Sequence, residues 1–375
     1  MKKAAIVWIT LFCCADILCC AAANTKIQSQ ITQIVERQLV DGNIPGAVVF
    51  VGQNQKKIFF RAFGDEVSVP FVEPMRKDTI FDIASLSKPV ATAPSILILI
   101  DSGKISLDDY VSKYIPDFAN GGKENVQIKH LLSHTSGLPS YMNAEPLRKK
   151  FGNQCADKVI EEICRLEALN EPGEKSRYSC LGYITLGRIV EIVSGKSLDV
   201  FATENIFSPL GMKNTFYNPP AAKAKRIAAA EIRNGQLNRG AVHDPLAELM
   251  GGVSGNAGVF TTADDLAKFC RMVLNDGRAN GKQILSVESV KLLTSEQYFG
   301  RAYGFDVNSD NHSWIKGDFG AKTFCHSGYT GTSIVCDPVS KKFIIILTNR
   351  VYPNDKGSVR QMRIQVANAV YKTLQ

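Results

Sequence analysis

A serine and a lysine three residues apart, Ser85 and Lys88, have the spacing that covalent chemistry needs. They lie in the segment Phe81–Pro89, which runs into a long apolar stretch ending at Ile100-Asp101-Ser102-Gly103. On a helix, residues three apart share a face, so the hydroxyl and the ammonium can meet at the positive end of the helix dipole. A serine hydroxyl needs a base beside it, and a lysine in an apolar pocket can lose its proton near neutrality and act as one. The pattern predicts a buried helix with a nucleophile in its first turn.

The motif also has a structural interpretation, in which Ser85 caps the helix and Lys88 is a solvated residue of the first turn. The same spacing recurs at Ser313-Trp314-Ile315-Lys316, but Gly317-Asp318 follows and no apolar helix does. The context therefore favours Ser85 over Ser313 as the reactive serine. The capping alternative stays open on this motif alone.

Two later segments add polar side chains that could reach such a nucleophile. Tyr178-Ser179-Cys180 follows Glu171-Pro172-Gly173 and precedes a helix that is predicted to begin at Leu181, so a loop there can lower the phenol into a cleft. His326-Ser327-Gly328 lies on a predicted strand, followed by Tyr329-Thr330-Gly331-Thr332. A glycine on a strand allows a substrate backbone to approach closely.

Hydrophobic spacing predicts the elements that position these motifs. Apolar residues from Ile27 to Leu39 recur at helical spacing and stop at Asp41-Gly42. Pro94 lies inside the apolar helix after Ser85, where a missing backbone donor should kink the helix or widen a turn. The remaining predicted elements are strands at Gly46–Gly52 and Lys57–Gly64, helices at Ala156–Leu169, Leu181–Ser194 and Ala263–Asn275, strands at Thr323–Ser327, Thr332–Cys336 and Lys342–Thr348, and a helix at Ser358–Leu374.

Strands thus occur near both ends of the chain, around a helical middle. This order predicts an α+β fold in which both ends build one antiparallel sheet with the terminal helices packed on it. The middle would form a mostly helical inserted lobe. We assign residues 24–80 and 294–375 to the α/β lobe and residues 81–293 to the helical lobe.

Residues 1–23 are predicted to be a cleaved export signal. Two lysines precede an apolar run that ends at Ala21-Ala22-Ala23, the small-residue form of a signal-peptidase site. Asp16 interrupts the run, and a carboxylate inside a membrane is costly, so we expect no permanent membrane span. We therefore expect a periplasmic or secreted protein. Lipid attachment at Cys19 or Cys20 is an alternative, although the residues before them are not small.

The net charge and its distribution limit the classes of binding partner that we expect. The chain of 375 residues has a formal net charge of +8, which becomes about +7 once the leader's two lysines and one aspartate are removed. The positive residues are scattered, without a basic run interleaved with aromatics, so we expect no nucleic-acid partner. A mildly basic surface would suit an anionic cell-wall polymer.

Six cysteines remain after the leader, and their spacing shows no CxxC pair and no metal-binding pattern. An exported compartment permits disulfides, but the spacing selects no pairing, and buried free thiols are the alternative. We expect neither a metal nor another cofactor. The cysteines are at positions 155, 164, 180, 270, 325 and 336.

The order Ser85-x-x-Lys88, Tyr178-x-x, His326-x-Gly328 resembles the three-motif site of the penicillin-recognising serine hydrolases. That family includes class C β-lactamases, D,D-carboxypeptidases, D-aminopeptidases and related esterases. The resemblance covers nearly the whole mature chain and implies a β-lactamase/transpeptidase-like fold. Further segments similar to the family's recurrent ones are Leu131–Leu138, Phe207–Met212, Gly258–Leu266 and Leu347–Arg350.

The resemblance implies roles for individual residues. Ser85 would be the acylated nucleophile, Lys88 would help to activate it, and Tyr178 would act as base or proton relay. Backbone N–H groups of Ser85 and Tyr329 would hold the oxyanion, because two donors aimed at developing charge stabilise it. Cys180, His326, Ser327 and Gly328 would contact the substrate.

Two residues depart from the family's pattern. Cys180 stands where many relatives have Asn or Asp, and it cannot offer an amide to the substrate or to Lys88. His326 stands where penicillin-hydrolysing members mostly have lysine, and a neutral imidazole grips a carboxylate less firmly than an ammonium does. D-aminopeptidase-like and esterase-like members tolerate such a histidine. The departures change the expected substrate and leave the acyl-enzyme chemistry intact.

Other interpretations of single residues remain. Tyr178 could be an ordinary half-buried phenol, and His326 a structural strand histidine. His130 and His134, four apart, could suggest a metal pair on a helix, but no HExxH-type carboxylate completes it and Ser136-Gly137 would end that helix immediately. Cys180 as a nucleophile is disfavoured because Ser85 already fills that role.

Asn349 and Arg350 end an apolar strand. They could face the cleft, but capping the strand is the expectation.

The sequence therefore predicts an exported, metal-free serine acyl hydrolase that acts through a Ser85 acyl-enzyme. The leading substrate is a peptidoglycan-type D-amino-acid peptide or a β-lactam-like amide. A carboxylesterase for small esters is the alternative within the same chemistry. A non-catalytic protein that binds penicillins or cell-wall fragments is the alternative from another class.

Overall fold

The structure, a computed structural model, describes residues 25–307 and 319–373. The predicted leader and the second Ser-x-x-Lys motif at residues 313–316 lie outside these ranges. Within the two ranges, no helix is both long and apolar enough to span a bilayer.

Half of the described strands belong to one antiparallel sheet, in the order β11-β12-β13-β14-β1-β2-β3. The strands, in chain order, are β1 (Gly46–Gln53), β2 (Lys56–Val67), β3 (Glu73–Pro74), β4 (Phe81–Asp82), β5 (Phe216–Tyr217), β6 (Glu231–Arg233), β7 (Gln236–Asn238), β8 (Val259–Thr261), β9 (Arg278–Ala279), β10 (Lys282–Gln283), β11 (Asp306–Val307), β12 (Phe324–Ser327), β13 (Ser333–Asp337) and β14 (Lys342–Thr348). β1 pairs with β14, so early and late segments of the chain share the sheet as predicted. The predicted fold class is confirmed.

Helices cover both faces of the sheet and form most of the middle of the chain. They are α1 (residues 25–40), α2 (Ala93–Asp101), α3 (Ile128–Leu132), α4 (Glu145–Phe151), α5 (Ala156–Arg165), α6 (Cys180–Ser194), α7 (Leu198–Ala202), α8 (Pro245–Leu249), α9 (Ala263–Leu274), α10 (Val287–Thr294) and α11 (Arg360–Thr373). Short 3-10 turns lie at Ala84–Leu86, Val111–Lys113, Pro116–Ala119 and Ala221–Arg226, and π turns at Lys88–Thr92 and Thr203–Phe207.

The protein has a hydrophobic core on each face of the sheet, and the alternation of side chains along the central strands explains both. Successive side chains of a strand point to opposite faces. Val49 and Val51 of β1 belong to a core with residues of α1 and α11, whereas Val48 and Phe50 belong to the core shared with the helical lobe. The sheet is therefore buried on both faces, between the terminal helices and the helices of the middle of the chain.

The structure differs from the expectation just before Ser85. Phe81 and Asp82, which we expected to lead directly into a helix, form β4 and pair with β8, which in turn pairs with β5. Strands of two or three residues leave no periodic signal in a sequence. The helix also begins irregularly, because the Ala93 N–H bonds to the Lys88 carbonyl across a π turn one residue before Pro94. The widened turn expected near Pro94 is thus present.

Candidate active site

Ser85 lies at a tight corner between β4 and the π turn. Ala84 immediately before it has φ of 46°, a left-handed conformation that is unfavourable for a residue with a side chain. Asp82 holds this corner, since its Oδ1 accepts the Ala84 N–H at 2.8 Å and its Oδ2 accepts the His243 N–H at 2.8 Å. The backbone before Ser85 is thus fixed by a buried carboxylate.

Lys88 is fully buried beneath Ser85 and surrounded by acceptors. Its Nζ donates to Ser85 Oγ at 3.0 Å, to the Asn256 carbonyl at 2.9 Å and to Cys180 Sγ at 3.5 Å. Burial lowers the pKa of Lys88, but Cys180 and Tyr178 raise it by more, so the net pKa lies above its ordinary value. Three acceptors also match the three N–H groups of an ammonium, whereas the sequence led us to expect that Lys88 can lose its proton near neutrality.

Tyr178 lies over Lys88, whose Nζ is 5.0 Å from the centre of its ring. Interactions of its hydroxyl with Lys88 and with Ser85 both act to lower its pKa. Burial raises the pKa of Tyr178, although Lys88 opposes that shift. The resting pair is therefore an ammonium beside a phenol, and the two groups titrate as one coupled unit.

The start of α6 delivers Tyr178 and Cys180 to the site. Ser179 is the N-cap residue, and its Oγ accepts the Gly182 N–H at 3.3 Å and donates to the Pro139 carbonyl at 2.7 Å. Cys180, the first residue of α6, is half-buried beside Lys88. A capped helix start fixes both neighbouring side chains.

β12 carries the third motif along the edge of the same site. His326 is buried, and its ring centre lies 6.1 Å from that of Tyr178. Burial, followed by Lys88 and Arg301, lowers the pKa of His326 well below its ordinary value. The imidazole is therefore neutral, and this strand position supplies no positive charge.

Gly328 and the turn after it pack against the chain before Ser85. A Cβ on Gly328 would lie 2.2 Å from Thr332 Oγ1 and 2.3 Å from the Ile83 carbonyl oxygen, so only glycine fits. Thr330 Oγ1 donates to the Asp82 carbonyl at 2.8 Å, and Thr332 Oγ1 donates to the Ile83 carbonyl at 3.0 Å. These bonds join the Ser85 segment to the Tyr329 segment.

An arginine of α11 orients the peptide before Tyr329. Arg363 Nη2 donates to the Gly328 carbonyl at 3.1 Å and to the Thr332 carbonyl at 2.8 Å. In a planar trans peptide the carbonyl and the next N–H point in opposite directions. Holding the Gly328 carbonyl therefore fixes the direction of the Tyr329 N–H.

Ser85 lies in the first helical turn, where backbone N–H groups have no intrahelical acceptor.

Two cavities open onto Ser85. One, of about 510 Å³, is bordered by Tyr178 and His326 and by the arginines 350, 360 and 363. Asp306 is the acid that lines it among the described residues, and this carboxylate is ion-paired with Arg301. The other, of about 440 Å³, is lined by Cys180 and by Tyr141, His243, Asp244, Pro245 and Ala257. We name them the arginine cavity and the tyrosine cavity.

The structure brings the sequence-predicted residues together. Ser85, Tyr178, His326, Ser327, Gly328 and Tyr329 line the arginine cavity, Cys180 lines the tyrosine cavity, and Lys88 lies beneath Ser85. Arg350, expected to cap a strand, lines the arginine cavity and donates to the Tyr329 carbonyl at 2.6 Å. The helix expected to reach His134 ends at Leu132, and His134 has φ of 59°.

Sequence reasoning missed Asn256, Arg301 and Arg363. Asn256 acts through its backbone carbonyl, which any residue could supply, so its side chain carried no signal. Arg363 lies on a correctly predicted helix, but nothing in the sequence indicates which loop it reaches. Arg301 follows α10, and its guanidinium lies 5.5 Å from the Tyr178 ring centre.

Known proteins that are similar to this chain indicate the same family as the site geometry does. Residues 31–369 match the model of the beta-lactamase family, and the chain belongs to that family of serine hydrolases. A protein of Escherichia coli named "Putative D-alanyl-D-alanine carboxypeptidase" is 31% identical, with 88% of this chain and 84% of that protein covered. The "N-acetylmuramyl-L-alanine amidase" of Bacillus subtilis is 32% identical, with 88% and 82% covered.

The fold also matches solved structures. EstCE1, described as a hydrolase with promiscuous acyltransferase activity, superposes with a TM-score of 0.76 at 23% identity, covering 93% of this chain and 100% of that one. At this identity the match shows the shared fold.

Proposed function

We propose that the protein is an exported serine hydrolase that cleaves D-amino-acid peptides of the peptidoglycan type through an acyl-enzyme on Ser85. The observation that carries the proposal is the contact of Ser85 Oγ with Lys88 Nζ at 3.0 Å, at the mouth of a cavity lined by three arginines. Export rests on the leader that the sequence predicts at residues 1–23.

Acylation needs the Lys88–Tyr178 pair to lose one proton. In that form the Tyr178 oxygen accepts the Ser85 proton while Lys88 stays close to both oxygens. Ser85 Oγ then bonds to the substrate carbonyl carbon, and the N–H groups of Ser85 and Tyr329 bind the resulting oxyanion. The proton passes to the leaving nitrogen as the amide bond breaks. A water molecule, deprotonated by the same pair, attacks the acyl-enzyme and releases the acid.

The arginine cavity supports a substrate with a carboxylate next to the cleaved bond. His326 is neutral, so the third motif cannot supply the cation. Arg360 provides it instead, since Arg350 is ion-paired with Asp355, and guanidinium groups bind carboxylates in a favourable bidentate geometry. A leaving D-amino acid carries such a carboxylate. The names of the Escherichia coli and Bacillus subtilis relatives support a peptidoglycan substrate.

A carboxylesterase is the second candidate, and the tyrosine cavity favours it. Tyr141, Pro245 and Ala257 give that cavity an apolar part beside Ser85, which suits the acyl group of a small ester. An ester needs no positive charge at its leaving group, so this activity would leave the arginine cavity without a use. A β-lactam amide would acylate the same Ser85.

A substrate panel tests the proposal. The protein is incubated with a D-alanyl-D-alanine peptide, the same peptide with a C-terminal amide, p-nitrophenyl esters and nitrocefin, with Ser85→Ala as control. We expect the free acid to be preferred over the amide by at least about tenfold, as one charged hydrogen bond contributes. Mass spectrometry after fluorophosphonate treatment should find the adduct on Ser85 and none in Ser85→Ala. Preference for short esters would replace the peptide proposal, and full activity of Ser85→Ala would overturn the mechanism.

A further inference from the structure

His134 contacts the segment around Tyr178 on both sides of that residue. Its backbone carbonyl accepts the Arg177 N–H at 2.8 Å, and its Nδ1 accepts the Ser179 N–H at 3.0 Å. The residues immediately before and after Tyr178 are therefore bonded to the same histidine. Two such bonds fix the backbone from which the phenol projects.

The imidazole ring of His134 also packs against Tyr178 itself. The two ring centres lie 4.4 Å apart with an interplanar angle of 33°, and Tyr183 packs against the same imidazole at 5.0 Å. His134 is buried, with 4% of its surface exposed. The Tyr178 ring thus has a fixed neighbour on its inner side as well as fixed backbone bonds.

The conformation of His134 is specialised for these contacts. Its φ of 59° is left-handed, a region that histidine and asparagine enter more readily than most residues but at a cost in energy. The turn that follows is tied to the same loop, since the Thr135 carbonyl accepts the Gly173 N–H at 2.8 Å. The unfavourable backbone is held in part by contacts with the loop of Tyr178.

The imidazole is in the state that this arrangement needs. Burial, followed by Arg301, Lys88 and His326, lowers the pKa of His134 well below its ordinary value. A neutral ring that accepts at Nδ1 carries its proton on Nε2. The Ser179 N–H therefore meets an acceptor throughout the neutral pH range.

We propose that His134 is a positioning residue that sets the Tyr178 hydroxyl against Ser85 and Lys88. It acts through two backbone bonds and one ring contact and does not itself touch the substrate. The inference rests on the proposed role of Tyr178 in the Ser85 hydrolase. It predicts that loss of His134 slows the chemical step and leaves substrate binding nearly unchanged.

Three variants separate the contacts. His134→Asn tolerates the left-handed φ and keeps an acceptor, because its Oδ1 is bonded to Cγ as Nδ1 is in histidine. His134→Phe keeps a ring and loses the acceptor, and His134→Ala loses both. We expect kcat to fall about 100-fold in His134→Ala, as a displacement of about 1 Å can cause, and about tenfold in His134→Asn. KM should stay within about threefold, a range too small to indicate lost binding contacts.

A double-mutant cycle with Tyr178→Phe distinguishes positioning from a structural role. If His134 acts through the Tyr178 hydroxyl, His134→Ala costs little further activity once that hydroxyl is gone. A purely structural histidine would cost the same factor in both backgrounds, and additive losses would overturn the inference. Rates are measured with an activated p-nitrophenyl ester, and thermal unfolding checks that each variant folds. Should wild type hydrolyse nothing, the proposed function fails first. An active wild type with an additive cycle refutes only the role of His134.

Discussion

The two sides of Ser85 differ in how firmly their groups are held. On the inner side, Lys88 is fully buried, and all three of its N–H groups have acceptors. On the outer side, Tyr329 is 58% exposed, and Arg360 is exposed at the rim of the arginine cavity. The inner side resists rearrangement because the buried ammonium of Lys88 is held by three acceptors, whereas the outer side can change residue by residue at low cost.

This contrast shows how the family's chemistry and its substrate choice can be separated. The inner groups come from the corner at Ser85, the start of α6 and the loop of His134, and backbone bonds join the last two. The outer groups come from the strand end at Arg350 and from α11. We therefore expect inner substitutions, except at the weak acceptor Cys180, to lower every activity and outer substitutions to change the preference among substrates.

The largest effect is expected for the inner side, in Tyr178→Phe. Loss of the hydroxyl removes the proton acceptor for Ser85, so kcat/KM should fall by about 10² to 10⁴ for every substrate. The pKa shifts of the pair also predict the direction in which the wild-type rate changes with pH. Both pKa values of the Lys88–Tyr178 pair are raised, and the active form has one proton fewer, so wild-type kcat/KM should rise with pH through neutrality and into the alkaline range.

A profile of kcat/KM from pH 5 to pH 11, in steps of about half a unit, checks this expectation. The profile reports the pKa values of the essential groups in the free enzyme. Tyr178→Phe should lose the rise together with the rate. An optimum near pH 5 in the wild type would contradict a deprotonated pair.

A smaller and selective effect is expected on the outer side, in Arg360→Gln. Removing one guanidinium from the arginine cavity should lower kcat/KM about tenfold for a peptide with a free carboxylate. The C-terminal amide should be affected by less than about twofold. Higher salt should reduce the difference, because the charge is exposed.

Lys356→Gln is the matched control for Arg360→Gln. Lys356 is an exposed cation in the loop just before Arg360 and does not line the cavity. Equal losses in both variants would show general charge attraction and would remove the specific role of Arg360.

The smallest effect is expected for Cys180→Ala. The thiol is the weakest of the three Lys88 acceptors, at 3.5 Å, and Ser85 and Asn256 remain. Ester hydrolysis should stay within about threefold of wild type, since sulfur is a weak acceptor. Inactivation of this variant, with normal thermal unfolding, would reopen the possibility that Cys180 is itself reactive.

The sequence predicted those parts of the molecule that repeat or that carry distinctive side chains. Apolar spacing located α1, α9 and the three late strands to within a few residues, because buried faces impose a period. The sequence does not predict β4, which is only two residues long. It also does not predict the role of the Asn256 carbonyl, which depends on backbone position alone. The acceptors around Lys88 could not be predicted either, because they come from segments about 90 and 170 residues later.

The pairing of β1 with β14 has a consequence for how the enzyme is made. Ala47 lies opposite Thr348, about 300 residues away along the chain, and β14 in turn holds β13 and β12. During synthesis, β1 therefore has no partner strand on its β14 side until nearly the whole chain has been made. Ser85 is synthesised early, but β12 and Arg363, which complete the pocket around it, come last, so we expect this pocket to form only when synthesis is nearly finished.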